Sequence, residues 1–227
     1  VSLSLEPDIL LFQEVEGLSW NQIRHHPLVE DNYRVLYQPS RAGVPRGGLV
    51  TLLRSRMEIG APRYENLPSD MGRGVLLLPV SVCHSWVVLA NVHLESPDLL
   101  FWRSRSHRHQ QLRMIDDMAS DSESWIVAGD FNPVFEGGHD QRLPDTWTDA
   151  WTLLNPDDPG FTWNPGSNQM AWRQGGFILP AYRLDRVMYR TPGLIPIKAQ
   201  ILGVGEAEPL SDHYGLRVDF SCQQSDS

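Results

Sequence analysis

The chain has 227 residues, of which 41% are hydrophobic and 21% charged, and its formal net charge is −9. These proportions are close to globular averages, so they exclude disordered and fibrous proteins, and the length suits one domain. The negative charge argues against a protein that coats nucleic acid, because such proteins neutralise phosphates with many lysines and arginines. The apolar runs are too short to cross a bilayer, so we expect no stable membrane association.

The ends of the chain and its two cysteines suggest where it works. Cys83 and Cys222 are too few for a disulfide framework and lack the spacing of metal ligands, so we expect both thiols to stay reduced. Because the chain begins at Val1, we expect an incomplete N-terminus whose targeting signals would not be visible. The expected compartment is intracellular, nuclear or cytoplasmic, and the expected oligomeric state is a monomer.

Short apolar runs separated by turn residues predict strands along the first half of the chain. The first run, Ile9–Phe12, is wholly apolar, which is typical of a strand buried between layers. The polar stretch 20–31 is compatible with a helix. Strands are predicted at 33–37 and 48–53, and the runs 75–82 and 86–93 predict a hairpin.

In the second half, the apolar spacing changes to that of a helix between residues 101 and 118. Strands are predicted at 125–128, 183–189, 195–202 and 216–220. Many short strands with few helices favour two packed sheets flanked by helices over one parallel sheet wound with regular helices. The domain is expected to span residues 1–220, followed by a polar tail at 221–227.

Five polar clusters each follow an apolar run, which is the placement that an active site at the mouth of a sheet requires. They are Gln13 with Glu14, His93 with Glu95 and Ser96, Asp130 with Asn132, Asp185, and Ser211 with Asp212 and His213. Each cluster alone also has an ordinary structural explanation. A carboxylate after a strand is commonly solvated, and an Asp or Asn after glycine commonly forms a turn with its own backbone.

The order of these clusters carries a resemblance. The segments LFQEV, NVHLES, AGDFN, RLDRV and PLSDHYG resemble the endonuclease/exonuclease/phosphatase superfamily, from about residue 7 to residue 220. The segments HLES, FTW and SDHYGL are similar to the type 2 tyrosyl-DNA phosphodiesterases (TDP2) and their shorter fungal-type relatives. The resemblance implies phosphodiester hydrolysis and a DNase I-like fold, a four-layer α/β/β/α sandwich with two mixed sheets, here without its first strand.

The resemblance also implies a metal and a base. Glu14 would be the principal carboxylate for Mg²⁺, or for Mn²⁺ as the alternative ion, with Asp212 assisting from the opposite side. Magnesium commonly takes only one or two protein carboxylates. Asp130 would orient and deprotonate the attacking water. Asn132, two residues further on an extended segment, would face the same way and hold that geometry or contact the phosphate.

Further residues would bind the phosphate. His213 would stabilise the charge that develops on it, and Asp185 would fix the tautomer of His213 and favour its protonated form. His93 would be a second phosphate ligand. Ser96 and the backbone around Glu95 would shape the pocket for the 5′ end.

Three other features each have two interpretations. Trp163 could stack on a base or a departing tyrosine, or it could belong to the core. Arg73 could approach a substrate phosphate, or it could be a loop arginine held by a carboxylate. The basic segment 103–113 could follow a phosphate backbone, or it could be a solvated helix face, which the nearby Asp116 and Asp117 favour.

The predicted function is a Mg²⁺-dependent phosphodiesterase that acts on 5′-tyrosyl or similarly blocked 5′ ends of DNA. Pro133 and Val134 stand where the animal enzymes carry a basic residue, so the grip on DNA is expected to differ or be weaker. The alternatives are abasic DNA, RNA tails, phosphoinositides or sphingomyelin as substrates, or a non-catalytic relative that serves as an interaction module. The joint presence of six polar site residues counts against the last.

Overall fold

The computed structural model of the chain describes residues 6–97, 101–119, 124–133, 144, 146–175 and 179–223. Val134 of the Pro133–Val134 departure and the last four residues of the predicted tail lie outside these ranges. The strands are β1 (Ile9–Phe12), β2 (Tyr33–Leu36), β3 (Val50–Arg54), β4 (Arg63–Asn66), β5 (Gly74–Val82), β6 (Ser85–His93), β7 (Ser124–Asp130), β8 (Thr148–Asp149), β9 (Asp185–Arg190), β10 (Leu194–Leu202) and β11 (Gly215–Cys222). The helices are α1 (Gly17–Arg24), α2 (Pro27–Asn32), α3 (Phe101–Met118), α4 (Ala150–Leu154) and α5 (Gln169–Gly175).

The described strands form three sheets. The largest has the strand order β4-β5-β6-β7-β9-β8, and it is mixed because β6 and β7 run parallel while its other neighbours are antiparallel. The other two are antiparallel, a three-stranded sheet β1-β3-β2 and a two-stranded sheet β10-β11. The second layer therefore differs from the single mixed sheet that we expected.

Alternation of apolar side chains along the strands stacks these sheets into layers. On one face of the large sheet, Val75 and Val92 pack against Leu112 and Ile115 of α3. On its other face, side chains of β5 and β6 pack against β1, β3, β10 and β11. The outer face of the three-stranded sheet is covered by α1 and α2, through Trp20 among others. The result is the predicted α/β/β/α sandwich.

The helices follow the predictions in part. The polar stretch 20–31 holds two helices, because Pro27 occupies the first turn of α2 and fits only at a helix start. Helix α3 spans the predicted residues. Its basic segment is not simply a solvated face, since Arg108 is 1% exposed and donates to the backbone carbonyl of Glu95. Among the described helices, none has the length and apolar character needed to cross a membrane.

The two cysteines form a disulfide, so the expectation that they stay reduced is wrong. Cys83 lies in the predicted β5–β6 hairpin turn, where Cys83 and His84 both have positive φ, as a two-residue turn of this kind requires. Cys222 ends β11, which extends two residues beyond the predicted strand. Their Cα atoms lie 5.5 Å apart although 139 residues separate them in sequence, and this long-range proximity could not be inferred from cysteine spacing.

Candidate active site

Residues of all five predicted polar clusters meet in one cleft of about 910 Å³, although Glu95 is not part of its lining. Sheet register brings three of them together. His93 and Asp130 are partners at the ends of parallel strands β6 and β7, and Asp130 is paired with Asp185 at the start of β9. The cleft lining includes Gln13, Glu14, His93, Ser96, Asp130, Asn132, Trp163, Asp185, Ser211, Asp212 and His213.

Asp130 and Asn132 adopt a tight turn rather than the expected extended segment. Strand β7 ends at Asp130, and the backbone N–H of Asn132 donates to Asp130 Oδ1 at 2.8 Å. Asn132 has a φ of 50°, and its amide nitrogen donates to the carbonyl of Leu94 and to Ser96 Oγ. The turn holds the Asp130 carboxylate and turns the Asn132 amide towards Ser96.

Asp130 and His93 share a buried part of the cleft. The distance from His93 Nε2 to Asp130 Oδ2 is 3.3 Å. Burial raises the pKa of Asp130, and the negative charge of Asp185 raises it further, to about 7. Burial also lowers the pKa of His93 to about 3, aided by the positive charges of Arg73 and His213, so this ring is neutral near pH 7.

His213 and Asp185 form the predicted pair. His213 Nδ1 lies 2.8 Å from Asp185 Oδ2. Burial alone would lower the pKa of His213, but the charge and hydrogen bond of Asp185, with Asp130 and Asp212 in support, raise it to about 10. His213 is therefore protonated at neutral pH.

Thr162 holds this pair in place, and the sequence analysis did not identify it as a site residue. It is fully buried, and its hydroxyl oxygen accepts the backbone N–H groups of Leu184 and Asp185, each at 3.0 Å. Its carbonyl accepts the backbone N–H of Tyr214. The FTW segment contains both residues, but its resemblance predicted Trp163 as the site residue and not Thr162.

Glu14 projects from the end of β1 with an unusual backbone. Its φ is 56°, and a Cβ placed on Gly48 would lie 2.9 Å from the Glu14 Cα, so glycine is needed at position 48.

The residue before Glu14, Gln13, is held by Asn91, because Gln13 Nε2 donates to Asn91 Oδ1 at 2.8 Å. Asn91, which is fully buried on β6, also donates to the carbonyls of Val50 and Phe12. Asn91 was missed, because only the folded strands bring these carbonyls to it.

Arg73 lies behind two residues of the cleft rather than in its lining. Its guanidinium is 2.7 Å from His93 Nδ1 and donates to Ser96 Oγ at 2.6 Å. Among the described residues it has no direct ion pair with a carboxylate, so the interpretation as a loop arginine held by a carboxylate does not describe its contacts. Its approach to a substrate phosphate stays a prediction.

Trp163 belongs to the cleft wall. It is 6% exposed, and its ring packs with Leu184 and Tyr182, at 6.1 Å between the Trp163 and Tyr182 ring centroids. Little of its surface is left for stacking on a substrate. The adjacent wall is largely apolar and includes the exposed side chains of Met170 and Leu210.

The donor set of the cleft fits a hard divalent cation. Four carboxylates line it, those of Glu14, Asp130, Asp185 and Asp212, and oxygen ligands are what Mg²⁺ and Mn²⁺ prefer. The Glu14 side chain is 74% exposed and the Asp212 side chain 22% exposed, so the cleft can supply both to an ion.

A second cluster, of Asp70, Glu95 and His107, lies outside the cleft lining. Its carboxylates already have donors. Arg103 contacts both oxygens of Asp70, and Glu95 accepts from the hydroxyl of Ser69 and the backbone N–H of Asp70. Glu14 and Asp212, which line the cleft, stay the ligands that the resemblance predicts for the cation.

Comparisons with solved structures show the same fold at low identity. D. rerio TDP2 complexed with a single-strand DNA product matches with a TM-score of 0.78 and 23% identity, over 96% of this chain and 88% of that chain. Truncated Caenorhabditis elegans TDP2 matches with a TM-score of 0.74 and 22% identity, over 94% and 84%. The human Nocturnin catalytic domain with bound sulfate matches with a TM-score of 0.68 and 21% identity, over 97% and 83%.

The sequence comparisons give the family. A search of curated proteins finds no significant match to this chain. The model of the endonuclease/exonuclease/phosphatase family matches residues 3–213, which include every residue that we placed in the cleft. This match spans most of the chain, so the protein belongs to the endonuclease/exonuclease/phosphatase family.

Proposed function

We propose that the protein is a divalent-metal-dependent phosphodiesterase that acts on 5′-tyrosyl or similarly blocked 5′ ends of DNA. The observation that carries the proposal is the convergence of Asp130, the His213–Asp185 pair and Glu14 in one cleft. The family consists of hydrolases of phosphoester bonds, which fits this set of groups.

Asp130 is suited to serve as the general base. A pKa of about 7 leaves much of it ionised at neutral pH while keeping it basic enough to accept a proton from water. The backbone N–H of Asn132 donates to Asp130 Oδ1, and Asp130 Oδ2 faces His93 Nε2. Because these contacts fix the orientation of the carboxylate, it is already positioned to accept the proton from water.

His213 and His93 supply hydrogen-bond donors of different charge. Protonated His213 is held through Nδ1 by Asp185, so its Nε2–H can donate to a non-bridging phosphate oxygen and stabilise negative charge there. His93 is neutral and adds a second donor near Asp130. A bound Mg²⁺ or Mn²⁺, held by Glu14 and Asp212, would neutralise charge that develops on the phosphate.

DNA ends are supported as the substrate by two observations. D. rerio TDP2, which shares this fold, has been solved in complex with a single-strand DNA product. The apolar wall of the cleft, with Met170 and Leu210 at its surface, can cover an aromatic leaving group such as the tyrosyl ring.

The test is hydrolysis of four substrates, 5′-tyrosyl DNA, abasic DNA, poly(A) RNA and sphingomyelin, each with Mg²⁺, Mn²⁺ or EDTA. We expect 5′-tyrosyl DNA to be cleaved most efficiently and EDTA to abolish cleavage. Asp130→Ala should lower kcat by roughly 10²-fold or more, as removal of a general base does. Asp117→Ala, a change of an exposed aspartate on α3, is the matched control and should keep parental activity. Preferential cleavage of abasic DNA, poly(A) RNA or sphingomyelin would refute the proposed substrate. Full activity of Asp130→Ala would refute the role of Asp130 as the general base.

A further inference from the structure

Arg73 donates to two groups of the cleft from behind them, and a buried carboxylate binds the turn that precedes it. We propose that Arg73 is a positioning residue that fixes the ring tautomer of His93 and the hydroxyl direction of Ser96, and that Glu95, acting through Ser69, sets the position of Arg73. The role of the two fixed donors in catalysis rests on the proposed phosphodiesterase function.

The contact with His93 determines where the ring proton lies. A guanidinium has only donors, so His93 Nδ1, 2.7 Å from Arg73 Nη1, must be the acceptor. A neutral imidazole that accepts at Nδ1 carries its proton on Nε2. Nε2 lies 3.3 Å from Asp130 Oδ2, inside the cleft. Arg73 therefore makes His93 present an N–H donor to the reaction space.

The contact with Ser96 has a similar effect. Ser96 Oγ accepts from Arg73 Nη2 at 2.6 Å and from Asn132 Nδ2 at 3.3 Å. A hydroxyl has two acceptor lone pairs and one hydrogen, so these two bonds leave only the hydrogen to be used. Since Ser96 lines the cleft, that hydrogen can donate to a bound phosphate. The guanidinium thus directs two neutral donors at once.

Arg73 is held through the turn that precedes it. The backbone N–H groups of Met71 and Arg73 donate to Ser69 Oγ at 2.9 and 3.0 Å. Both lone pairs of that hydroxyl are then used, and its hydrogen is donated to Glu95 Oε2. Glu95 Oε1 accepts the backbone N–H of Asp70 at 2.9 Å. One buried carboxylate therefore holds the turn at two points.

Glu95 is itself fixed by helix α3. Its side chain is 2% exposed, its backbone N–H donates to Gln111 Oε1 at 2.9 Å, and its carbonyl accepts from Arg108 Nη1 at 2.8 Å. Only a group with two acceptor oxygens satisfies both Ser69 and Asp70. In a Glu95→Gln variant the amide NH₂ would face one of these two donors, so the turn would have to shift.

The first measurement is the ¹⁵N spectrum of the histidines at fixed neutral pH, with His93→Gln used to assign the His93 signals. In the parent, His93 should be protonated at Nε2 and unprotonated at Nδ1. In Arg73→Met, which keeps the bulk and removes the donors, the Nδ1 signal should move towards a protonated nitrogen. Ser69→Ala and Glu95→Gln should move it in the same direction by less. An unchanged His93 pattern in Arg73→Met would overturn the proposal.

The second measurement is steady-state kinetics on the substrate that the parent cleaves. Arg73→Met should lower kcat by roughly 10²-fold, the usual effect of losing an oriented donor. Glu95→Gln should add little to Arg73→Met in the double variant, because both act through the same guanidinium. Asp116→Asn, a carboxylate on α3 that accepts from Trp147, controls for lost stability and should leave the His93 signals unchanged. Multiplicative losses in the double variant would refute the relay from Glu95.

The two measurements separate the two proposals. If the parent cleaves no phosphodiester, the proposed function fails while the ¹⁵N spectra still test the role of Arg73. If the parent is active and Arg73→Met changes only KM, with the His93 tautomer intact, then Arg73 contacts substrate and the positioning role is wrong.

Discussion

At the scale of single residues, the cleft separates the protonation states of groups that lie close together. Asp130 is kept basic by burial, His93 is kept neutral by burial and by Arg73, and His213 is kept charged by Asp185. Environments that push neighbouring pKa values apart allow one site to hold a base and an acid at the same pH. The division of roles between the two histidines follows from their different partners.

The pH dependence of the reaction should report on the His213–Asp185 pair. The pKa of His213 is raised from 6.5 to about 10, so its charged form is populated below that value and is lost as pH rises through it. Asp185→Asn removes the main cause of this increase, so the alkaline limb of the kcat profile should move to lower pH. Asp219→Asn, at a half-buried position within β11 and paired with Arg217, should leave the limb in place. An alkaline limb of the kcat profile that is unchanged in Asp185→Asn would show that His213 is not the group that titrates.

The sequence predicted which residues line the cleft better than it predicted the contacts that hold them. Glu14 and Asp130 could be predicted because each stands at the end of an apolar run, where a strand reaches the sheet edge. Asp185 instead begins β9, and its RLDRV segment was the signal for it. The contacts of Thr162 and Asn91 could not be predicted, because their partners are distant in the chain. The contacts of Arg73 depend on a turn whose shape Glu95 sets, and no local pattern encodes this.

At the scale of elements, the strands β1, β3 and β6 meet beside the site. The Asn91 amide of β6 bonds to carbonyls of β1 and β3 and to the side chain of Gln13. This junction ties the three-stranded sheet to the large sheet directly next to Glu14. The apolar runs predicted these strands, whereas β4, α4 and α5 were missed because segments of four, five and seven residues are too short to show a clear period.

The position of Glu14 at this junction leads to a prediction about metal binding. Glu14→Gln replaces a charged oxygen ligand with an amide, so the half-saturating Mg²⁺ concentration should rise by roughly 10-fold or more, the effect of losing even an outer partner of a metal. The rise in Tm on adding Mg²⁺ should shrink in parallel. Glu16→Gln makes the same charge change at an exposed position two residues away and should alter neither quantity. Equal Mg²⁺ responses in Glu14→Gln and the parent would remove Glu14 as the principal ligand.

At the scale of the whole molecule, the candidate active site and the disulfide lie at opposite ends of the large sheet. The site lies where β6 ends at His93, whereas the Cys83–Cys222 disulfide joins the turn before β6 to the end of β11. Strand β6 is nine residues long, which at about 3.3 Å per residue separates the two by roughly 25 Å. The bond joins β11 of the second layer to the large sheet at the end far from the cleft.

This separation predicts a loss of stability without a loss of catalysis when the disulfide is removed. Because the bond links residues 139 apart, it restricts the unfolded chain strongly, and Cys83→Ser should lower the free energy of unfolding by about 2–5 kcal/mol. Cys222→Ser and the double variant should lose the same amount, since all three lack the same bond. Dithiothreitol should lower the stability of the parent to that of the variants and leave the stability of the variants unchanged.

At temperatures below every Tm, kcat should be equal in all four proteins, because the disulfide lies at the end of the large sheet far from the cleft. Urea unfolding with and without dithiothreitol measures the first effect, and additive losses in the double variant would show that the two cysteines stabilise the fold separately.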